Sequence, residues 1–168
     1  MTTYANIDKE EAFVQYSQKE LGDLFDTLPH VDVEKMDGLY KGHLFSIMGF
    51  GLLPRFMRGP FYTLLNIIDL WSGKGFKNLK GANIWLLLTD RFRFGYYTLE
   101  PSSDNNPARI NYDTDKNFGF MRAIRGEMKQ LEDGRVLARM LYVTKNKVYT
   151  VAYFTLEIKT ENQGYGAI

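Results

Sequence analysis

No cysteine occurs among the 168 residues, and only two histidines do. The first absence excludes disulfides, thiolate nucleophiles, Cys-ligated zinc and Cys-held iron–sulfur clusters. The second leaves little material for a His-rich metal centre, and His, Asp and Glu show no metal-ligand spacing. An excess of one charge is missing too, since 21 Lys and Arg against 20 Asp and Glu give +1. Nucleic-acid binders usually carry a basic excess or stripe, so no nucleic-acid partner is expected. Long hydrophobic runs are absent as well. The most apolar region, 44–70, is interrupted by Pro54, Arg55, Arg58, Pro60 and Asp69, whereas a spanning helix needs about 20 mostly apolar residues. This segment is expected to be buried, with membrane contact through 44–70 as the less favoured reading. The first ten residues have neither a basic nor an apolar stretch of the kind a secretory signal carries. The expectation is a cytoplasmic protein without cofactor, monomeric or weakly homo-oligomeric.

What the chain has in quantity is aromatic residues, at 15% of the sequence. At about 100–200 residues per domain, 1–168 reads as a single domain able to bury most of its apolar surface. Residues 1–30 form a helical segment in this reading. Asp8-Lys-Glu-Glu11 has the form of a helix cap, and Phe13, Val14, Ser17, Leu21, Leu24 and Phe25 recur at helical spacing over 9–26. Leu28-Pro29 ends that helix, and 31–36 has room for one turn. A barrel then occupies 37–159, with a helical insertion at 51–69. Strands are expected around Tyr40 and at about 70–78, 82–89, 91–100, 108–113, 122–131, 135–144 and 147–159. Lys80-Gly81, Thr89-Asp90, 101–107, Asp133-Gly134 and Lys145-Asn146 supply turns. The fold class is therefore mainly β, an antiparallel barrel of about eight strands, which is enough to enclose one small ligand. In the last strand Phe154, Leu156 and Ile158 share an apolar face, while Tyr149, Tyr153, Thr155 and Glu157 share the other. The tyrosine-bearing face is expected to line a semi-polar interior.

Two motifs carry a resemblance. Gly38-Leu-Tyr-Lys-Gly42 has the form Gly-x-aromatic-x-Gly, and Trp71-Ser-Gly-Lys-Gly-Phe76 follows some thirty residues later. Together they resemble the GXWXG-domain family. Ile110-Asn-Tyr-Asp113, Ile124-Arg-Gly-Glu-Met128 and 133–140 are similar to the distal half of the same barrels. The first motif also loosely resembles that of lipocalins, which open their first strand with Gly-x-Trp. Tyr40 stands where the family has tryptophan, and a buried tyrosine hydroxyl requires a partner. The resemblance covers about 26–158 and implies a lipocalin-like barrel with a small apolar ligand, without a particular activity.

Candidate site residues follow from strand parity. Lys74 either meets an anionic head group beside the aromatic walls or extends to solvent, the second being preferred. Arg125 and Glu127 share a face and, near Tyr142 or Tyr153 in an adjacent hairpin, would form an interior polar handle. The other reading for them, preferred on the strand pattern alone, is a set of cross-strand ion pairs on the outer face. Tyr40, Trp71, Tyr142 and Tyr153 would line the pocket. His43 offers a haem ligand only as a minor option. No Gly-x-Ser-x-Gly elbow, dinucleotide fingerprint or phosphate loop is present. The expected function is noncovalent binding of a small hydrophobic or amphipathic molecule inside the barrel. The alternative is an isomerase, cyclase or hydrolase using Glu127 as general base in the same cavity.

Overall fold

The computed structural model describes residues 10–48, 56–57, 59, 71–85 and 92–160. Two short helices, α1 (Glu10–Val14) and α2 (Gln18–Thr27), precede a 3₁₀ turn at Val33–Lys35. The strands are β1 (Gly38–Ile47), β2 (Trp71–Lys77), β3 (Lys80–Trp85), β4 (Phe92–Glu100), β5 (Ala108–Asn111), β6 (Ile124–Gln130), β7 (Val136–Val143) and β8 (Val148–Thr160). They pair in chain order, all antiparallel, and β8 returns to β1 to close the barrel. The expected eight-stranded antiparallel barrel is thus the observed fold.

The N-terminal helix differs from expectation in one respect. The single helix over 9–26 is two, because Ser17-Gln-Lys-Glu20 is itself a capping box. The Ser17 hydroxyl accepts from the Glu20 amide while the Glu20 carboxylate accepts from the Ser17 amide. A second cap inside the apolar period starts a new helix at a new angle. The insertion at 51–69 lies mostly outside the described residues, although Phe56, Met57 and Gly59 within it are helical.

Alternation along each strand divides side chains between an inner and an outer core. Inside lie Tyr40, Phe76, Tyr97, Leu99, Ala108, Ile110, Tyr112, Met128, Val136, Ala138, Phe154 and Leu156. Val31, Val33 and Met36 join this cluster from the turn before β1, closing the end where β1 begins. The opposite end, where β1 finishes and β2 begins, is called the mouth. Outside, Phe45, Leu137 and Tyr153 pack under Phe13, Val14, Leu21, Leu24 and Phe25 of the two helices. Stacked rings of Phe13 and Phe45, 5.1 Å apart, tie α1 to β1.

The outer cluster reverses the reading of the last strand. Ala152, Phe154 and Leu156 pair with Met140, Ala138 and Val136 on the inward side, and Tyr153 faces out. Tyr153 is buried by the helices rather than by the barrel, whereas Tyr149 is exposed near the start of β8, so burial on both sides of the strand's middle made its two faces look alike in sequence.

The two glycine motifs meet where β1 and β2 cross. Gly73 adopts φ +143°, and a Cβ there would overlap the Tyr40 carbonyl oxygen. Gly42 leaves the seat on which the Trp71 ring lies. A register shift between Trp71 and Gly73 breaks the alternation of β2. Trp71 and Lys74, three residues apart, therefore both turn inward. Gly73→Ala is expected to cost about 3 kcal/mol or more, through backbone strain added to overlap. Urea unfolding would measure this, and a change below about 1 kcal/mol would mean that the β1–β2 crossing relaxes freely.

Candidate functional site

The inward positions of β2, β3 and the end of β5 converge on one amine. Tyr40 pairs with Lys74 across β1 and β2, and Lys74 pairs with Asn83 across β2 and β3. Lys74 therefore points to the axis, and it is fully buried. Its Nζ donates to Asn83 Oδ1 at 2.5 Å and to the Tyr112 hydroxyl at 2.5 Å. The Tyr112 hydroxyl in turn donates to Asn83 Oδ1 at 3.3 Å. Four rings surround the nitrogen, with centroids at 4.9 Å for Tyr97, 5.2 Å for Tyr112 and 5.5 Å for Trp71 and Phe154.

Among the described residues no carboxylate lies within ion-pair distance of Lys74. Both polar partners are neutral, so the cost of stripping water from the ammonium is only partly offset. Burial pushes the Lys74 amine from its ordinary 10.5 down to about 7. The ring faces pull the other way, since their negative quadrupole favours a cation. Burial also raises the Tyr112 hydroxyl well above its ordinary value, with the bond to Asn83 opposing it.

Tyr112 is held by a loop rather than by a ladder, because β5 ends at Asn111. Asn117 supplies the missing bonds. Its Oδ1 accepts from the Tyr96 amide at 2.9 Å, and its Nδ2 donates to the carbonyls of Tyr96 at 2.6 Å and Tyr112 at 2.7 Å. The loop after β5 is thereby fastened to β4, which fixes the ring that reaches Lys74.

Inward-facing residues differ between the two halves of the barrel. From Tyr40 down to the 3₁₀ turn they are buried and fill the interior. On the mouth side Leu44, Trp71, Ile124 and Met140 face the same axis yet keep partial exposure. Trp71 belongs both to this set and to the ring cage around Lys74, so the caged amine adjoins the part-exposed apolar side chains of the mouth half.

Of the seven sequence candidates the structure brings together three: Trp71 and Lys74 in the cage, and Tyr40 beside them, with its ring edge-on to Phe76 at 5.2 Å. Lys74 does not extend to solvent, contrary to the preferred expectation. Arg125 and Glu127 belong to the outer face, since Arg109 and Arg139 flank Glu127 on the neighbouring strands. Glu127 accepts from Arg139 Nε at 2.7 Å and lies 3.7 Å from Arg109 Nε. The Arg139 guanidinium also lies 4.2 Å from the centre of the Phe25 ring and 3.4 Å from Asp26. This network fastens α2 to the barrel, and Glu127 faces out of it rather than toward the interior a general base would need. Arg125 donates to the carbonyls of Arg122 and Ile124 beside it. Tyr153 reaches Gly22 of α2, where an added Cβ would come within 3.3 Å of its hydroxyl. Tyr142 is exposed at the mouth. His43 shares the outward side with Lys41 and Phe45, away from any site for haem inside. Asn83, Tyr112 and Asn117 escaped the sequence reading. The available signal was the inward parity of Asn83 with Lys74's hairpin partner positions and the Tyr of Ile110-Asn-Tyr-Asp113.

No protein-family model and no curated protein matches the chain. A solved structure does, the crystal structure of a protein from Thermomonospora curvata. It is 21% identical, with a TM-score of 0.55 over 89% of this chain and 93% of that one. At that identity the likeness is one of fold. Among the described residues no helix is long and apolar enough to cross a membrane, and no group of His, Asp and Glu could hold a metal ion.

Two outcomes follow from this geometry. A depressed lysine leaves the unfolded chain with more bound protons between pH about 7 and about 10, so stability rises with pH across that window. At pH 7 and below the full burial cost is present, and above about 10 the raised Tyr112 works in the opposite sense. Lys74→Met should remove this slope, narrowing the stability gap to the parent protein by a few kcal/mol, roughly 3, from pH 7 to pH 10. Parallel slopes in urea melts of the two proteins would contradict the burial of a charged amine. Glu127→Gln should cost about 1–3 kcal/mol by leaving Arg139 poorly paired, and protection of α2 amides from hydrogen exchange should fall with it.

Proposed function

We propose that the barrel binds one small hydrophobic or amphipathic molecule noncovalently in the half of its interior nearer the mouth. The apolar part lies against Leu44, Trp71, Ile124 and Met140, and the polar end points to Lys74, Asn83 and Tyr112. The observation that carries this reading is the caged amine beside inward-facing apolar side chains that keep partial exposure. Pockets of this composition, apolar walls with a few convergent polar groups, are the usual form of small-molecule sites. A buried lysine with only neutral partners costs stability, which a purely structural core would avoid with leucine or methionine. Resemblance to the GXWXG-domain family points to the same kind of ligand.

The mouth adds support. Met48, Phe118, Phe120, Tyr142, Val143, Val148 and Tyr149 are exposed there, whereas the closed end carries fewer large apolar side chains at its surface. Phe118 and Phe120 stack at 6.2 Å, forming an apolar approach.

A neutral fluorescent probe, N-phenyl-1-naphthylamine, tests the reading. Saturable uptake of one equivalent with quenching of tryptophan emission is expected. Ile124→Trp, which adds bulk in the mouth half, should weaken uptake about ten-fold or more, worth about 1.4 kcal/mol. Glu127→Gln, on the outer face, should leave uptake unchanged. Absence of saturable uptake, or indifference to Ile124→Trp, would overturn the proposal.

A further inference from the structure

The nature of the polar end follows from what surrounds Lys74, and the inference rests on the reading that the mouth half of the barrel admits an apolar molecule. Four ring centroids lie 4.9–5.5 Å from Nζ. Aromatic faces carry negative potential, so this cage favours a cation and repels an anion brought beside the nitrogen. A carboxylate head group would gain one ammonium contact while meeting several ring faces and losing its own hydration. A neutral carbonyl meets neither difficulty. If it condenses with the amine, the positive charge stays at the position where the rings already hold it.

We propose that Lys74 forms an imine with an apolar aldehyde or ketone held in the mouth half. The unprotonated Nζ attacks the carbonyl carbon, forming the C–N bond while the C=O π pair moves to oxygen. A proton passes from nitrogen to that oxygen through the Tyr112 hydroxyl, which already accepts from Nζ at 2.5 Å. The resulting carbinolamine loses its hydroxyl with a second proton as water, and the nitrogen lone pair forms C=N. One carbonyl compound and one amine give one imine and one water, with no change of oxidation state. Protonation from solvent then yields the iminium cation within the cage. Asn83 Oδ1, bonded to both Nζ and the Tyr112 hydroxyl, keeps the amine and the hydroxyl oriented.

Supporting chemistry comes from burial, which holds the amine near neutrality and leaves a substantial unprotonated fraction at pH 7. A lysine in water, with its ordinary value of about 10.4, stays almost wholly protonated at that pH. The cage therefore distinguishes Lys74 in reactivity, in electrostatic environment and in the nearby proton carrier. Nothing in this sequence of steps needs a metal or a redox cofactor.

The test is incubation of the intact protein with decanal and sodium cyanoborohydride at pH 7, read by intact mass and by peptide mapping. One reduced adduct is expected, on Lys74, formed before any exposed lysine reacts. Lys74→Met should lose that adduct, and Tyr112→Phe should slow it about ten-fold or more, with circular dichroism and a cooperative urea transition confirming that both variants fold. Adducts spread over exposed lysines at rates equal to Lys74 would overturn the proposal. So would decanal displacing the bound probe without an adduct on Lys74, a result that leaves the noncovalent reading standing. Decanoate displacing the probe more tightly than decanal, again without adduct, would replace the carbonyl with an anionic head group. Failure of probe and decanal alike to bind would remove both readings.

Discussion

The pairing of β1 with β8 turns a curved sheet into an enclosure, and the chemistry at Lys74 depends on it. Before that ladder forms, inward residues of β2 and β3 face a groove open to water, where a lysine keeps its hydration shell. Once Leu44 stands opposite Phe154 and Gly42 opposite Leu156, the groove has a far wall. Phe154 then supplies both a ring beside the amine and the edge-on partner of Trp71 at 5.1 Å. Closure also removes the unpaired strand edges that an open eight-stranded sheet would present.

Enclosure works through two layers of packing with different tasks. The outer layer, helices over Phe45, Leu137 and Tyr153, is fastened by the Arg139–Glu127 pair and fixes the back of the barrel. The inner layer divides at the level of Lys74. Below it, packing is complete and the turn at Val33–Lys35 seals the end. Above it, the same inward positions carry the part-exposed apolar residues Leu44, Trp71, Ile124 and Met140. The packed layer below holds Lys74, Asn83 and Tyr112 in a fixed arrangement.

Strand number, turn positions and antiparallel order were legible because alternation and Gly, Asn and Asp turns are local signals. The site was legible only in part, for reasons that can be placed on single residues. Lys74 and Asn83 belong to one hairpin, but Tyr112 joins them across the barrel, a neighbour relation created by closure and invisible to spacing. Lys74 was assigned to solvent because a register shift between Trp71 and Gly73, which turns both Trp71 and Lys74 inward, leaves no mark in composition. Tyr153 was assigned inward, and an inward Glu127 was weighed against outer-face ion pairs, because helices bury part of the outer face of β6–β8 while the barrel buries the inner one. Ser17-Gln-Lys-Glu20 was readable as a cap and was masked by the unbroken apolar period around it.

The closing ladder also governs when this protein can be made. β1 spans 38–47 and its partner β8 spans 148–160, with every other strand between them in the chain. Hairpins from β2 to β7 can pair as they leave the ribosome, at about 5–20 residues per second, but the seam joins the first strand to the last. Until β8 emerges, β1 waits with one edge unpaired and the apolar inner face uncovered. Long-range pairings of this kind slow folding, so the nascent chain passes through a period of several seconds in which a chaperone has an exposed strand to hold.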